Sequence, residues 1–233
     1  MSNNRRFVIG DIHGCIRTFR YLVEEIINLK PADSLFLLGD VIDRGPESKA
    51  VLDYIIELSA NSIVRPILGN HEYMMLGAVE DEDLFLRWHR NGCEQTLLSF
   101  GVDSSRINDR SSLLDIDPEY FAFLRKWPLY EETQGFFLVH AGLDPLSNHP
   151  LSDILSLLWT RDENPPQDIL QGRKLIHGHT PLSLSSINQR VLDPDATVLN
   201  LDGGCVYKDY PGLGYLVALD LDQMQLYQIR NRD

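Results

Sequence analysis

Five short apolar runs in this chain each end in a cluster of Gly with Asp, Asn or His, and any fold it adopts must place those five endings. The runs are Phe7-Val8-Ile9 before Gly10-Asp11-Ile12-His13-Gly14, Leu35-Phe36-Leu37-Leu38 before Gly39-Asp40-Val41-Ile42-Asp43-Arg44-Gly45, and Ile67-Leu68 before Gly69-Asn70-His71-Glu72. Two more are Phe136-Phe137-Leu138-Val139 before His140-Ala141-Gly142, and Leu175-Ile176 before His177-Gly178-His179-Thr180. A short apolar run closed by Gly reads as a buried strand. In an α/β sheet the loops leaving the carboxyl ends of the strands form the ligand crevice. An α/β fold with five polar loops on one rim is therefore the expectation.

Residues 5 to 70 read as strand, helix, strand, helix, strand. Helices are predicted over about 16–29, with Phe19, Leu22, Val23, Ile26 and Ile27 on one face, and over about 48–59. Strands alternating with helices imply parallel pairing. Residues 72–130 read as a helical insertion beside the site, with helices over 72–79, 84–89 and 119–127. Strands are expected again at 136–139, 174–176, 184–187, 190–192, 197–201, 214–219 and 224–229. The late ones are close in sequence and should include antiparallel pairs. The whole chain, 1–233, is read as one domain of two sheets with helices outside.

A hydrophobic fraction of 43% over 233 residues supports a sizeable core and excludes a disordered chain. No apolar run approaches the roughly 20 residues of a spanning helix. Met1–Arg6 runs straight into the first strand, which predicts no signal peptide. Three cysteines without CxxC spacing point to a reducing compartment, and so to a cytoplasmic protein without a membrane partner. A net charge of −13 argues against nucleic acid as a partner. It does not argue against a small phosphorylated substrate, which feels local charges more than a surface screened beyond about 10 Å.

Asp11 and His13 lie two apart, so on an extended segment both side chains point the same way. Alone, they read more readily as an N-capping Asp and an exposed His than as metal ligands. With Asp40, Asn70, His140 and His179 each in the same position after another strand, the joint reading is a metal site. Six O and N ligands without a thiolate suit manganese, iron or zinc better than calcium or magnesium. Two cations about 3.5–4 Å apart would lower the pKa of a shared water and clamp phosphoryl oxygens during in-line attack. His71 is the candidate general acid, with Asp43 to orient it. Arg44 is a candidate phosphate ligand through its planar fork.

GDIHG (10–14), GDVIDRG (39–45), GNHE (69–72), HAG (140–142) and GHT (178–180) together resemble the calcineurin-like metallophosphoesterases, in particular the bacterial and phage form of their phosphoprotein phosphatase branch. The resemblance implies a β-sandwich of two mixed sheets flanked by helices, and phosphoester hydrolysis by a hydroxide bridging two metals, usually manganese. It implies that Asp11, His13 and Asp40 hold the first metal, and that Asp40, Asn70, His140 and His179 hold the second. His71 and Asp43 would form the acid pair. Arg44, and Arg161 from the W-x-R segment Trp159-Thr160-Arg161, would bind the phosphate. His177 is expected to pack, and Cys205, after Asp202-Gly203-Gly204, to be structural.

Many protein phosphatases of this branch carry Arg before GNHE, where this chain has Leu68. Leu-Gly-Asn-His resembles the symmetrical diadenosine tetraphosphatases, which share the metal motifs. The expectation is a Ser/Thr phosphoprotein phosphatase acting on a phosphorylated protein or small phosphoester, with no regulatory subunit evident. The alternatives are a symmetrical diadenosine tetraphosphate hydrolase and a non-catalytic binding module on the same fold.

Overall fold

The computed structural model describes residues 4–61, 63–162 and 164–233. Its strands are β1 (Arg6–Ile9), β2 (Ser34–Leu37), β3 (Ile63–Pro66), β4 (Tyr130–Thr133), β5 (Phe136–Val139), β6 (Lys174–His177), β7 (Val198–Asn200), β8 (Tyr215–Asp220) and β9 (Gln225–Arg230). One sheet has the order β3-β2-β1-β8-β9 and the other β4-β5-β6-β7. Both are mixed: β1, β2 and β3 pair in parallel, as do β5, β6 and β7, while β8, β9 and β4 join antiparallel. This is the two-sheet α/β architecture expected from the sequence.

Alternation along the strands explains why the runs are apolar on both faces. Val8, Phe36, Phe136, Leu138, Ile176, Leu199, Val217 and Leu219 meet in the layer between the sheets. Phe7, Ile9, Leu35 and Leu37 point the other way, under the helices that cover the first sheet. Phe137, Val139, Leu175 and Val198 do the same on the second. Each fully buried side chain of this size contributes about 1.5–3 kcal/mol, so neither face tolerates a polar residue cheaply.

The helices are α1 (Ile16–Tyr21), α2 (Ser48–Asn61), α3 (Asn70–Ala78), α4 (Glu82–Arg90), α5 (Cys93–Ser99), α6 (Pro118–Leu124), α7 (Ile154–Trp159), α8 (Gln167–Leu170) and α9 (Leu184–Leu192). The first expected helix, 16–29, is shorter: α1 widens into a π turn over Leu22–Ile26. A left-handed Asn28, at φ 46°, follows it. The insertion is helical as expected but starts at Asn70, contains the unpredicted α5, and ends where β4 begins at Tyr130.

Two expected strand placements are corrected. The stretch read as strands 184–187 and 190–192 is the single helix α9. Ser183 caps it by accepting from Ser186 N, and Leu184, Ile187 and Val191, at i, i+3 and i+7, face the inter-sheet layer. The cap and that spacing outweigh the β-branched content of the segment. The third strand is Ile63–Pro66 rather than Ile67-Leu68. As an edge strand it alternates between exposed and half-buried positions, so it lacks an apolar run. Ile67 and Leu68 follow it, their N–H groups bonded to Leu37 O and Pro128 O.

Candidate metal centre

Parallel pairing brings the carboxyl ends of β1, β2, β5 and β6 to one rim, and the site is built there. His13 Nδ1 donates to Ile42 O (2.8 Å) and His140 Nδ1 to Leu38 O (2.8 Å), which leaves each Nε2 lone pair facing the rim. Asn70 Oδ1 lies 2.9 Å from His140 Nε2 and 3.1 Å from His179 Nδ1. Asp40 is between them: Oδ1 is 3.4 Å from His140 Nε2, and Oδ2 is 3.8 Å from His13 Nε2 and 3.9 Å from His71 Nε2. Two triads result, His13–Asp40–His71 and Asp40–His140–His179, each with its ligand atoms within 4.8 Å of one another. Asp40 belongs to both. Asp11 stands outside the triads, accepting from His179 N at 3.1 and 3.2 Å.

The backbone is strained at the same place. His13, Asp40, Asp43, Arg44 and His179 all adopt left-handed φ between 47° and 71°. Such residues cost on the order of 1–3 kcal/mol each and persist only where the surroundings hold them. Glu72 is the main tether. Fully buried, it accepts from the N–H groups of Asp40, Val41, Ile42 and Gly69 at 2.9–3.2 Å. Gly69 and Gly178 allow the close approach: a Cβ on Gly69 would meet Asp40 Oδ1 at 2.4 Å, and one on Gly178 would meet Asp11 Oδ1 at 2.1 Å.

The electrostatics fit divalent cations. Burial holds the His13 and His140 imidazoles below the ordinary range and takes His179 down to about 3, so all three offer neutral nitrogens. Burial, and then the Asp202 and Asp40 carboxylates, raise Asp11 well above its usual value, and burial pushes Asp202 up to about 7. Buried carboxylates crowded this way call for a positive partner. Among the described residues His71 Nε2 is buried without a hydrogen-bond partner. The donor set and that orphaned nitrogen suit two cations held by O and N ligands.

Asp43 is enclosed by three donors: His71 Nδ1 at 2.6 Å, Trp88 Nε1 at 2.7 Å and Thr96 Oγ1 at 2.5 Å. Burial works to lower His71, but the Asp40 charge and the Asp43 hydrogen bond raise it above the ordinary histidine value. Arg44 donates from NH1 to His13 Nε2 (2.6 Å). Arg44 and Arg161 both line a cavity of about 240 Å³ over Asn70 and His179.

The structure thus gathers His13, Asp40, Asn70, His71, Asp43, His140 and His179, with Asp11 beside them and both arginines at the mouth. His177 is buried, its Nδ1 3.1 Å from Gly178 O, and packs behind the site. His89, on α4, is half-buried with Nε2 enclosed. Sequence reasoning overlooked Glu72 as a loop tether, Trp88 and Thr96 around Asp43, Asp202 on the same rim, and Arg87 in the mouth. For Glu72 a signal existed: Glu three residues after a helix-capping position is a capping box. Asp202 closes the run Val198–Leu201 as Asp40 closes its own.

A two-sheet α/β fold with a buried Asp/His/Asn cluster at its strand ends defines a metal-dependent hydrolase architecture. The sequence profile described as calcineurin-like phosphoesterase matches residues 5–217, and the chain belongs to that family of metallophosphoesterases. It is 31% identical over 153 residues, 65% of its length, to the symmetrical bis(5'-nucleosyl)-tetraphosphatase of Nitrosospira multiformis. That match takes in 48% of the relative, so the chain spans about half the length of the curated relatives it matches. Among solved structures, a candidate diadenosine tetraphosphatase superposes with TM-score 0.64 at 19% identity, covering 100% of this chain and 96% of that one. A Saccharomyces cerevisiae protein serine/threonine phosphatase gives 0.61 at 16%, covering 99% and 80%. At those identities the superpositions establish the fold. Among the described residues no helix is long and apolar enough to cross a membrane.

Proposed function

We propose that the chain hydrolyses dinucleoside tetraphosphates symmetrically, releasing two nucleoside diphosphates. The observation that carries this reading is the likeness to proteins named as symmetrical bis(5'-nucleosyl)-tetraphosphatases. Leu68 agrees with it, since its side chain is buried in the helix-side core at the position where many phosphoprotein phosphatases of this branch carry an Arg. The phosphoprotein phosphatase expected first becomes the second reading. It is favoured by one observation, the pairing of Arg44 with Arg161 at an open mouth.

In this reading Asp11, His13 and Asp40 would hold one cation, and Asp40, Asn70, His140 and His179 would hold the other. Such a pair supplies a water of lowered pKa and positive charge for the phosphoryl oxygens. The Ile42 and Leu38 carbonyls fix the tautomers of His13 and His140 so that Nε2 faces the cations. Asp43 holds His71 with its proton on Nδ1, and the Asp40 charge together with the Asp43 hydrogen bond raises the imidazole above its ordinary value, so that Nε2 can give a proton to a departing oxygen that needs one. Arg44 and Arg161 orient the phosphoryl group with their planar forks.

The test is product analysis after incubation of diadenosine tetraphosphate with the manganese-loaded protein. Two equivalents of nucleoside diphosphate are expected. Nucleoside mono- and triphosphate in equal amounts, or no cleavage, would overturn the reading.

A further inference from the structure

A third guanidinium stands in the cavity mouth, and it comes from the insertion. Arg87 lies on α4, whose Phe85 and Trp88 are buried while Arg87 is exposed. Trp88 Nε1 is fixed to Asp43, so α4 is pinned to the centre one residue from Arg87. Arg87 lies over the Trp159 ring at 4.5 Å from its centroid, and that ring stands edge-on to Tyr73 at 5.5 Å. The stack holds the guanidinium against the cavity that Arg44, Asn91 and Arg161 also line.

These three arginines are unusual in a chain of net charge −13. Among the described residues no carboxylate lies in ion-pair contact with Arg44, Arg87 or Arg161, although acidic residues pair with Arg5, Arg6, Arg20, Arg106, Arg110 and Arg173 elsewhere. Arg44 feels the Asp11, Asp40 and Asp202 carboxylates behind it, whereas Arg87 and Arg161 have no ion-pair partner among the described residues, so the mouth of the cavity suits an anion. One phosphoryl group held by cations and by Arg44 and Arg161 leaves Arg87 without an oxygen of its own.

We propose that Arg87 binds the phosphoryl group next to the one being attacked, so that the site selects phosphoanhydride chains over single phosphate esters. This deepens the dinucleoside tetraphosphate reading and rests on it for the choice of substrate class. Arg87 acts here as a specificity residue, distinct from the residues that surround the reacting phosphorus.

The test uses inorganic ions and is separate from the nucleotide assay. Inhibition constants of orthophosphate and tripolyphosphate would be measured against nitrophenyl phosphate turnover, with manganese in excess over total polyphosphate, for the wild type, Arg87→Ala and Arg87→Lys. The wild type should bind tripolyphosphate more tightly than orthophosphate. Arg87→Ala should reduce that ratio about tenfold or more, as expected for a lost charge-assisted hydrogen bond, and Arg87→Lys should restore part of it. An unchanged ratio, or equal weakening of both ions, would overturn the proposal, the second because a merely structural role moves both alike. A wild type that shows the Arg87-dependent ratio yet fails to cleave diadenosine tetraphosphate would overturn the functional reading and leave the proposal standing. Cleavage with an unchanged ratio in Arg87→Ala would do the reverse.

Discussion

His71 Nδ1 lies 2.6 Å from a carboxylate oxygen of Asp43, while His71 Nε2, 3.9 Å from Asp40, is buried with no hydrogen-bond partner among the described residues. One nitrogen is oriented and the other is aimed at the centre. That asymmetry suits a proton donor, and its worth depends on the leaving group. His71→Asn should slow hydrolysis of phosphoserine, whose serine oxygen departs as an alkoxide, by about 10²–10⁴-fold. Nitrophenyl phosphate, whose leaving group needs no proton, should be affected far less. Steady-state kinetics on the two substrates give the answer, and equal losses would remove His71 from the acid role.

Asp43 should set the alkaline limit of activity. The His71 pKa is raised above its ordinary value, so the competent charged form is lost as pH rises through that raised value. Asp43→Asn removes one cause of the raising, and the alkaline limb of the kcat profile should then move to lower pH. A limb that stays in place would assign it to another group.

Much of this was legible in the sequence. Asp11, His13, Asp40, Asn70, His140 and His179 are close in space because each follows an apolar run that can only be a buried strand or its continuation. Parallel pairing then does the gathering. Where reading failed, the physics was tertiary. Edge strand β3 has no apolar signature because one face meets solvent, and α9 carries β-branched residues that its cap and packing override. Arg87 gave no local signal, since an Arg on an amphipathic helix normally points to water. The anchoring of Trp88 on Asp43, with the stacking of Arg87 over Trp159, shows where α4 sits.

Glu72 holds the strained loop rather than taking part in the chemistry. Glu72→Ala leaves four buried N–H groups without an acceptor, each worth about 1–3 kcal/mol, so the loss should exceed that of an ordinary surface change several-fold. Thermal unfolding should show a Tm lower by many degrees, at about 2–4 °C per kcal/mol for a chain of this size. A Tm within a degree or two of wild type would show that the loop holds itself.

Cation binding should reverse a pH-dependent weakness. The Asp202 carboxyl is raised from 3.8 to about 7 in the folded chain, so the fold holds that proton more tightly than the unfolded chain does. Asp202 should therefore contribute stability that is lost as pH rises from about 4 to about 7, against the opposite contribution of the lowered His13, His140 and His179. The Asp202 share is isolated by comparison with Asp202→Asn: relative to that variant, chelator-treated wild type should lose Tm from pH 5 to pH 8, with added manganese raising the wild-type Tm more at pH 8. A Tm difference between the two chelated proteins that does not change with pH would contradict this picture of the centre.

The most direct measurement is kcat/KM for diadenosine tetraphosphate beside kcat/KM for a phosphoserine peptide, on one preparation stripped of metal and reloaded with manganese. The account predicts the higher value for the dinucleotide, with nucleoside diphosphate as its product. A higher value for the peptide would contradict it, placing the chain among enzymes that act on phosphoproteins and making Leu68 an incidental departure from their pattern.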